Sequence, residues 1–149
     1  LVELFPNAKF IFLMRNPYTV FESTRSFFTN TIKPLELQHI SDEEMEQNIL
    51  EVYTRLYDAY NEQKKYIPEG NLFEVKFEDF EADAYETTRK VYEQLNIPGF
   101  AEAEPAISAY LNKKKGYKKN KYEYKPRTVQ LVNEHWGHVL KEWGYEIQK

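Results

Sequence analysis

The sequence predicts an α/β protein in which helices flank a parallel β-sheet, and three observations point to this fold class. Residues 9–14 read KFIFLM, a continuous apolar run after the lysine that is typical of a buried strand in a parallel sheet. Residues that favour the start of a helix follow directly after this run, so the segment is predicted to form the strand, turn and helix of half a βαβ unit. A second strand candidate comes after a long amphipathic helix. With two strand candidates among four or five helices, we expect a helix-rich part of a larger sheet.

The first predicted helix begins directly after the first strand. Asn16 suits the N-cap, and Pro17 suits the first helical position, where its missing N–H has no helical partner. We therefore expect a helix from Pro17 to about Phe28. The next helix begins at Ser41, which forms a capping-box pattern with Glu44. It has an apolar face made of Met45, Ile49, Val52, Leu56 and Tyr60.

The second strand and the helix after it have clear boundaries. Pro68 and Gly70 end the long helix, and residues 71–77, NLFEVKF, alternate in part as a strand. Asp83 and Glu86 form another capping-box pattern, which predicts a helix to about Leu95.

Two more helices are predicted near the end of the chain. A short helix is expected within 101–112, after Pro105. The last helix begins at Pro126 and carries a strong apolar stripe, with Gly144 as the residue just past its end.

Composition excludes several classes of protein. The 149 residues are 42% hydrophobic and 30% charged, which suits one ordinary globular domain. The net charge of −4 argues against bulk nucleic-acid binding, and the absence of cysteine excludes disulfide scaffolds and cysteine zinc sites. No apolar run has the length of a membrane span and no signal peptide is visible, so we expect a cytoplasmic protein. Because the chain begins with Leu1 rather than methionine, we expect residues 1–149 to be one domain that forms the C-terminal part of a larger one.

A candidate binding site lies at the end of the first strand. Arg15 follows a buried parallel strand, at the position where open α/β sheets bind ligands. On the next helix Asn16, Thr19, Ser23 and Ser26 fall at helical spacing and form a polar stripe. An arginine fork and a serine hydroxyl can hold one phosphate group between them. The alternative is that Arg15 makes a structural ion pair and that Ser23 is a small packing residue.

A basic stretch precedes the last helix. Residues 113–127 carry eight basic side chains and one acid, interleaved with Tyr117, Tyr122 and Tyr124. In an otherwise acidic chain, such a stretch suits an anionic ligand, although a solvated loop is the usual alternative. His135 and His138 lie three residues apart on the last helix. Without further ligands nearby, they indicate packing rather than a metal site.

Taken together, these motifs resemble the sulfotransferases that use 3′-phosphoadenosine 5′-phosphosulfate (PAPS). The similarity begins with FPNAKFI at residues 5–11 and runs through Arg15-Asn16-Pro17 to Ser23. It continues at residues 75–80, VKFEDF, with Asp83 after them, and at residues 117–122, YKKNKY. A final helix ends in Trp143-Gly144-Tyr145. The motifs cover nearly the whole chain in the order expected for this family.

The resemblance implies a role for each candidate residue. Arg15 and Ser23 would bind the 3′-phosphate of PAPS or of its product, 3′,5′-diphosphoadenosine (PAP). Phe77 would contact adenine, and Lys118 and Lys119 would belong to a basic lid, with Lys125 as a further candidate. The family's 5′-phosphosulfate loop and catalytic base have no counterpart in this sequence, so no catalytic residue is assigned.

The resemblance also implies a fold and a reaction. We expect a three-layer fold like that of P-loop nucleotide kinases. The expected reaction transfers a sulfuryl group from PAPS to the hydroxyl or amine of an unknown carbohydrate, protein or small-molecule acceptor. Two alternatives stay open: a nucleotide kinase-like P-loop transferase, and a non-catalytic nucleotide-binding or scaffold module. A P-loop sequence upstream of Leu1 would indicate the first alternative.

Overall fold

Two strands pair in parallel in the computed structural model: β1 (Phe10–Met14) and β2 (Leu72–Lys76). The structure describes residues 2–114, 116 and 122–149. Within these residues the fold is mixed α/β and rich in helix, which confirms the predicted class and the parallel pairing. The three-layer arrangement stays a prediction.

The first helix begins as its sequence predicts. Helix α1 (Pro17–Phe27) has Asn16 as its N-cap, and the Asn16 Oδ1 accepts a hydrogen bond of 3.0 Å from the Tyr18 N–H. The helical path then changes to a π-helix, Phe28–Ile32, and to a 3₁₀ turn, Lys33–Leu35. The sequence did not predict either of these two segments.

The capping box of α2 (Asp42–Gln63) is complete. The Glu44 N–H donates to the Ser41 Oγ at 3.2 Å, and the Ser41 N–H donates to the Glu44 carboxylate at 2.9 Å. A 3₁₀ turn, Lys64–Tyr66, follows α2 and leads towards β2.

Short helices follow β2 directly. The strand ends at Lys76, and α3 (Phe77–Ala82) begins with the residue that the sequence analysis placed last in the strand. Helix α4 (Ala84–Gln94) has the predicted cap, since the Asp83 carboxylate accepts from the Glu86 N–H at 3.0 Å.

Helix α5 (Phe100–Lys114) corrects the expectation of a short helix after Pro105, because it begins five residues earlier and contains the proline. Proline lacks an N–H, so one hydrogen bond near the helix start is lost while the other turns form. Gly99, at φ 85°, supports the earlier start, because its carbonyl accepts from the Ala103 N–H at 3.1 Å.

Helix α6 (Pro126–Glu142) ends as predicted. Gly144 adopts a φ of 63° and its N–H donates to the Lys141 carbonyl at 3.2 Å. The Tyr145 N–H donates to the Leu140 carbonyl at 2.8 Å, which completes a Schellman motif.

The chain divides into two compact units. Unit 1 comprises Leu1–Arg15 and Gln63–Asn120, and it contains the two strands with α3, α4 and α5. Unit 2 comprises Asn16–Glu62 and Lys121–Lys149 and contains α1, α2 and α6. The assignment of residues 1–149 to one domain stays a prediction.

Unit 2 is built around Trp136. This side chain is fully buried, and its Nε1 donates to the Leu50 carbonyl and to the Thr54 Oγ1, both at 3.2 Å. The Phe21 ring meets the indole edge-on, with centroids 5.8 Å apart. Further fully buried hydrophobic side chains of this unit include Tyr18, Leu50, Val132, Val139 and Leu140.

Candidate nucleotide-binding site

The strand register places Arg15 beside Phe77. The parallel pairing runs from Phe10 opposite Leu72 to Met14 opposite Lys76, and Arg15 and Phe77 are the next residues on each side. The Arg15 Cζ lies 4.5 Å from the centroid of the Phe77 ring. Unit 1 therefore brings together two of the five predicted cofactor residues, at the carboxyl edge of the strands.

This contact is a cation–π interaction between two half-buried side chains. An aromatic ring attracts the guanidinium without offering a lone pair to its N–H groups. Within residues 2–114, 116 and 122–149, no carboxylate forms an ion pair with Arg15. The guanidinium therefore keeps donors with which it can bind an anion.

Phe77 reaches this edge from a helix rather than from a strand. As the first residue of α3, it is followed by Glu78 and Asp79 in the first helical turn. Acidic side chains in a first turn interact favourably with the positive end of the helix dipole. These two residues therefore have a local structural role.

The other predicted cofactor residues lie elsewhere. Ser23 is half-buried on α1 and belongs to unit 2, whereas Arg15 and Phe77 belong to unit 1. Lys118 and Lys119 lie outside the described residues.

Three of the four residues of the polar stripe on α1 have hydrogen-bond partners within unit 2. Asn16 caps the helix, and the Thr19 and Tyr124 hydroxyls hydrogen-bond at 2.7 Å. The Ser26 Oγ accepts from the Asn30 Nδ2 at 3.1 Å. The role of Ser23 as a phosphate ligand stays a prediction.

Tyr124 anchors the end of the basic stretch to α1. Besides its hydrogen bond to Thr19, its ring lies 5.2 Å from that of the fully buried Tyr18, measured between centroids. Two neighbours of Tyr124 line a polar cavity of about 400 Å³ against the same helix. Its lining includes Tyr122, Lys125, Arg25, Ser26 and Thr29. The described end of the basic stretch therefore lies against the helix that carries Ser23.

Two buried carboxylates were missed by the sequence analysis. Glu22 accepts hydrogen bonds from the Thr128 hydroxyl and, at 2.7 Å, from Arg25. Glu46 accepts from the Arg127 Nε at 2.8 Å, and this hydrogen bond raises the pKa of the Arg127 guanidinium. Together these contacts fix the start of α6 against α1 and α2. Among these pairs, only Glu22 and Arg25 are close enough in sequence for their contact to be predicted from helical spacing, since the other partners are far apart in the chain.

Unit 2 also contains an apolar cavity of about 380 Å³ between α1, the π-helix and α2. Val52 and Leu56 belong to the predicted apolar face of α2, yet they are 53% and 67% exposed and line this cavity. An ion pair of 3.0 Å between Lys33 and Asp42 lies among the lining residues. The apolar lining consists of Val20, Phe28, Ile32, Ile40, Met45, Ile49, Val52, Tyr53, Leu56 and Trp136.

A family model described as "Sulfotransferase family" matches residues 1–102, a range that contains Arg15, Ser23 and Phe77. The chain belongs to the sulfotransferase family. It is 29% identical over 146 residues to the omega-hydroxy-beta-dihydromenaquinone-9 sulfotransferases Stf3 of Mycobacterium bovis and Mycobacterium tuberculosis. These comparisons cover 98% of this chain and 38% of each relative, so the chain spans well under half the length of these relatives. No solved structure matches the chain significantly.

Membership of the sulfotransferase family confirms the resemblance that the motifs indicated. The family implies a nucleotide sulfate donor and an acceptor molecule. In the part of this sulfotransferase-family chain that the structure describes, no helix combines the length and the apolarity needed to cross a membrane.

Proposed function

We propose that the protein is a sulfotransferase that uses PAPS, and that this chain binds the 3′-phosphate end of the donor. The observation that carries the proposal is the position of Arg15. In a chain of this family, its guanidinium lies at the carboxyl edge of the parallel strands, against Phe77 and without a carboxylate partner among the described residues. This is the edge at which open α/β sheets bind ligands.

Three groups of residues form the proposed donor site. Arg15 and Ser23 bind the 3′-phosphate through charge-assisted hydrogen bonds, and the Phe77 ring lies against the Arg15 guanidinium. Lys118 and Lys119 close over the same phosphate. The anchoring of Tyr124 on α1 supports this role, because it holds the described end of the basic stretch against the helix of Ser23. ATP lacks a 3′-phosphate, so this site selects PAPS over ATP.

The reaction is an in-line displacement at sulfur. The acceptor oxygen or nitrogen forms a bond to sulfur while the bond from sulfur to the phosphate oxygen of PAPS breaks, and PAP leaves with the electron pair. The acceptor proton passes to a general base, a role for which we assign no residue. The residues named above bind the donor far from sulfur, so they position it rather than react with it. The three-layer nucleotide-kinase-like fold belongs to the same proposal.

A comparison of donors tests the proposed reaction. The protein is incubated with a panel of alcohols and amines and either PAPS or ATP, and the nucleotide products are separated. The proposal predicts acceptor-dependent formation of PAP from PAPS. Formation of ADP from ATP would instead support a kinase-like transferase, and binding of PAP without turnover would support a non-catalytic module.

Lysine acetylation tests the lid. Lys118 and Lys119 should lose reactivity when PAP binds, while Lys141, which is exposed on α6, serves as an internal control. Equal labelling of Lys118 and Lys119 with and without PAP would contradict their assignment to the lid.

For the acceptor we propose an apolar molecule that carries a hydroxyl group. The relatives named above act, by their names, on an omega-hydroxy dihydromenaquinone. The apolar cavity of unit 2 supports an acceptor of this class, because ligand pockets of about 300–1,000 Å³ with mainly hydrophobic walls suit such molecules.

A variant that fills the cavity tests this acceptor site. Val52→Trp should weaken turnover of long-chain alcohols and leave PAP affinity unchanged. Leu37→Trp is the control, because Leu37 is fully exposed and outside the cavity lining. Equal turnover in both variants would contradict this acceptor site.

A further inference from the structure

We infer that Phe77 is a positioning residue: it makes the nucleotide site selective for the 3′-phosphate by holding the guanidinium of Arg15. The inference rests on the proposed function and changes the role of Phe77. The family resemblance implied a contact between this ring and adenine. The structure places a guanidinium against the ring, with 4.5 Å between the Arg15 Cζ and the ring centroid.

The backbone determines which two side chains meet. Parallel pairing ends with Met14 opposite Lys76, so Arg15 and Phe77 leave adjacent strands at the same level. Arg15 directly follows Met14, the buried last residue of β1, and Phe77 is the first residue of α3, so each side chain projects from the end of a regular element. The pairing register, rather than a flexible loop, therefore sets the contact.

An aromatic partner suits an arginine that must bind an anion. A carboxylate partner would neutralise the guanidinium and occupy its N–H groups, whereas an aromatic ring attracts the cation and accepts no conventional hydrogen bond. A long arginine side chain loses conformational entropy when it binds a phosphate. Holding it in place before binding reduces that loss, which strengthens binding of a ligand that contacts Arg15.

The inference separates two effects of Phe77 on nucleotides. If the ring acts through Arg15, its removal weakens binding only of nucleotides that carry a 3′-phosphate. If the ring stacks on adenine, its removal weakens binding of every adenine nucleotide. PAP and 5′-AMP differ in the 3′-phosphate and share the adenine, so the ratio of their affinities distinguishes these roles.

The test is titration calorimetry of PAP and 5′-AMP with the protein and two variants. Phe77→Leu keeps an apolar side chain without a π-face, and it should weaken PAP binding about three- to tenfold. Its affinity for 5′-AMP should stay unchanged, which also shows that the site is folded. Phe77→Tyr keeps the ring and should keep the wild-type ratio of affinities.

A double-mutant cycle tests whether the effect passes through Arg15. In an Arg15→Ala background, Phe77→Leu should cause no further loss of PAP affinity, because the guanidinium is absent. Independent losses that add in the double variant would overturn the inference. In the unliganded protein, the NMR signals of the Arg15 side chain should show an upfield ring-current shift. The absence of this shift would overturn the inference without any variant.

The outcomes distinguish this inference from the proposed function. Equal affinity of the wild type for PAP and 5′-AMP would overturn the 3′-phosphate site itself. If Arg15→Ala abolishes the preference for PAP over 5′-AMP while Phe77→Leu preserves it, the 3′-phosphate site is supported and the inference about Phe77 fails. If Phe77→Leu weakens the binding of PAP and of 5′-AMP equally, the ring stacks on adenine and the inference fails.

Discussion

Replacing Thr128 by valine should destabilise the protein by about 2 kcal/mol, since hydrogen bonds to charged groups contribute about 1.5–3 kcal/mol. The Thr128 side chain is 1% exposed, and its hydroxyl donates to Glu22, a carboxylate that is itself 6% exposed. Valine has nearly the same shape, so the substitution removes the donor without leaving a cavity. Glu22 keeps its contact with Arg25 at 2.7 Å, which places the expected cost in the lower part of that range.

Urea denaturation followed by tryptophan fluorescence measures this cost, because Trp136 lies in the core of the same unit. With a slope of about 2 kcal/mol per molar urea, the midpoint should fall by about 1 M. Thr128→Ser keeps the hydroxyl and loses one methyl group, so it should cost only about 0.8 kcal/mol. A valine variant as stable as the serine variant would refute a stabilising role for the Thr128–Glu22 hydrogen bond.

Three further predictions concern the helices of unit 2. Gly144→Ala should destabilise by about 1 kcal/mol in urea, because φ is 63° at Gly144 and a side chain there is strained. Ser41→Ala should reduce stability and helicity, measured by circular dichroism, because it removes the hydroxyl of the capping box, whereas Ser41→Asp should preserve the cap. Burial raises the pKa of Tyr57 to about 12, above its value of about 10 in an unfolded chain. Its contribution to stability is therefore present below pH 10 and is lost as the pH rises towards 12. Accordingly, urea midpoints should fall more steeply over this range in the wild type than in Tyr57→Phe.

Local signals predicted most helix starts and ends. Asn16, Ser41 and Asp83 cap helices, and Gly144 ends one, because each of these effects depends on neighbours within a few residues. The predicted start of α5 was wrong, since the sequence alone does not distinguish a proline at the first helical position from a proline in the second turn. The π-helix Phe28–Ile32 has no local pattern that the sequence analysis could use.

The candidate site could be predicted only in part. Arg15 was identified from its place after an apolar run, and the parallel pairing then explains its contact with Phe77. The expectation that this run is a fully buried strand was wrong for the described residues, since Ile11 and Leu13 of β1 are 55% and 50% exposed. The contact of Glu22 with Thr128 joins residues more than a hundred positions apart. Such contacts depend on how helices pack, which periodicity along one helix does not specify.

The central claim is that Arg15 binds the 3′-phosphate of the donor nucleotide, and calorimetry of Arg15→Ala tests it most directly. Loss of a charge-assisted phosphate contact should weaken PAP binding by about 2–4 kcal/mol, or about 30- to 700-fold. Binding of 5′-AMP should change far less. Arg55→Ala is the matched control, since the Arg55 side chain is 75% exposed on α2, and it should leave both affinities unchanged. Equal losses of PAP and 5′-AMP affinity in Arg15→Ala would contradict the claim.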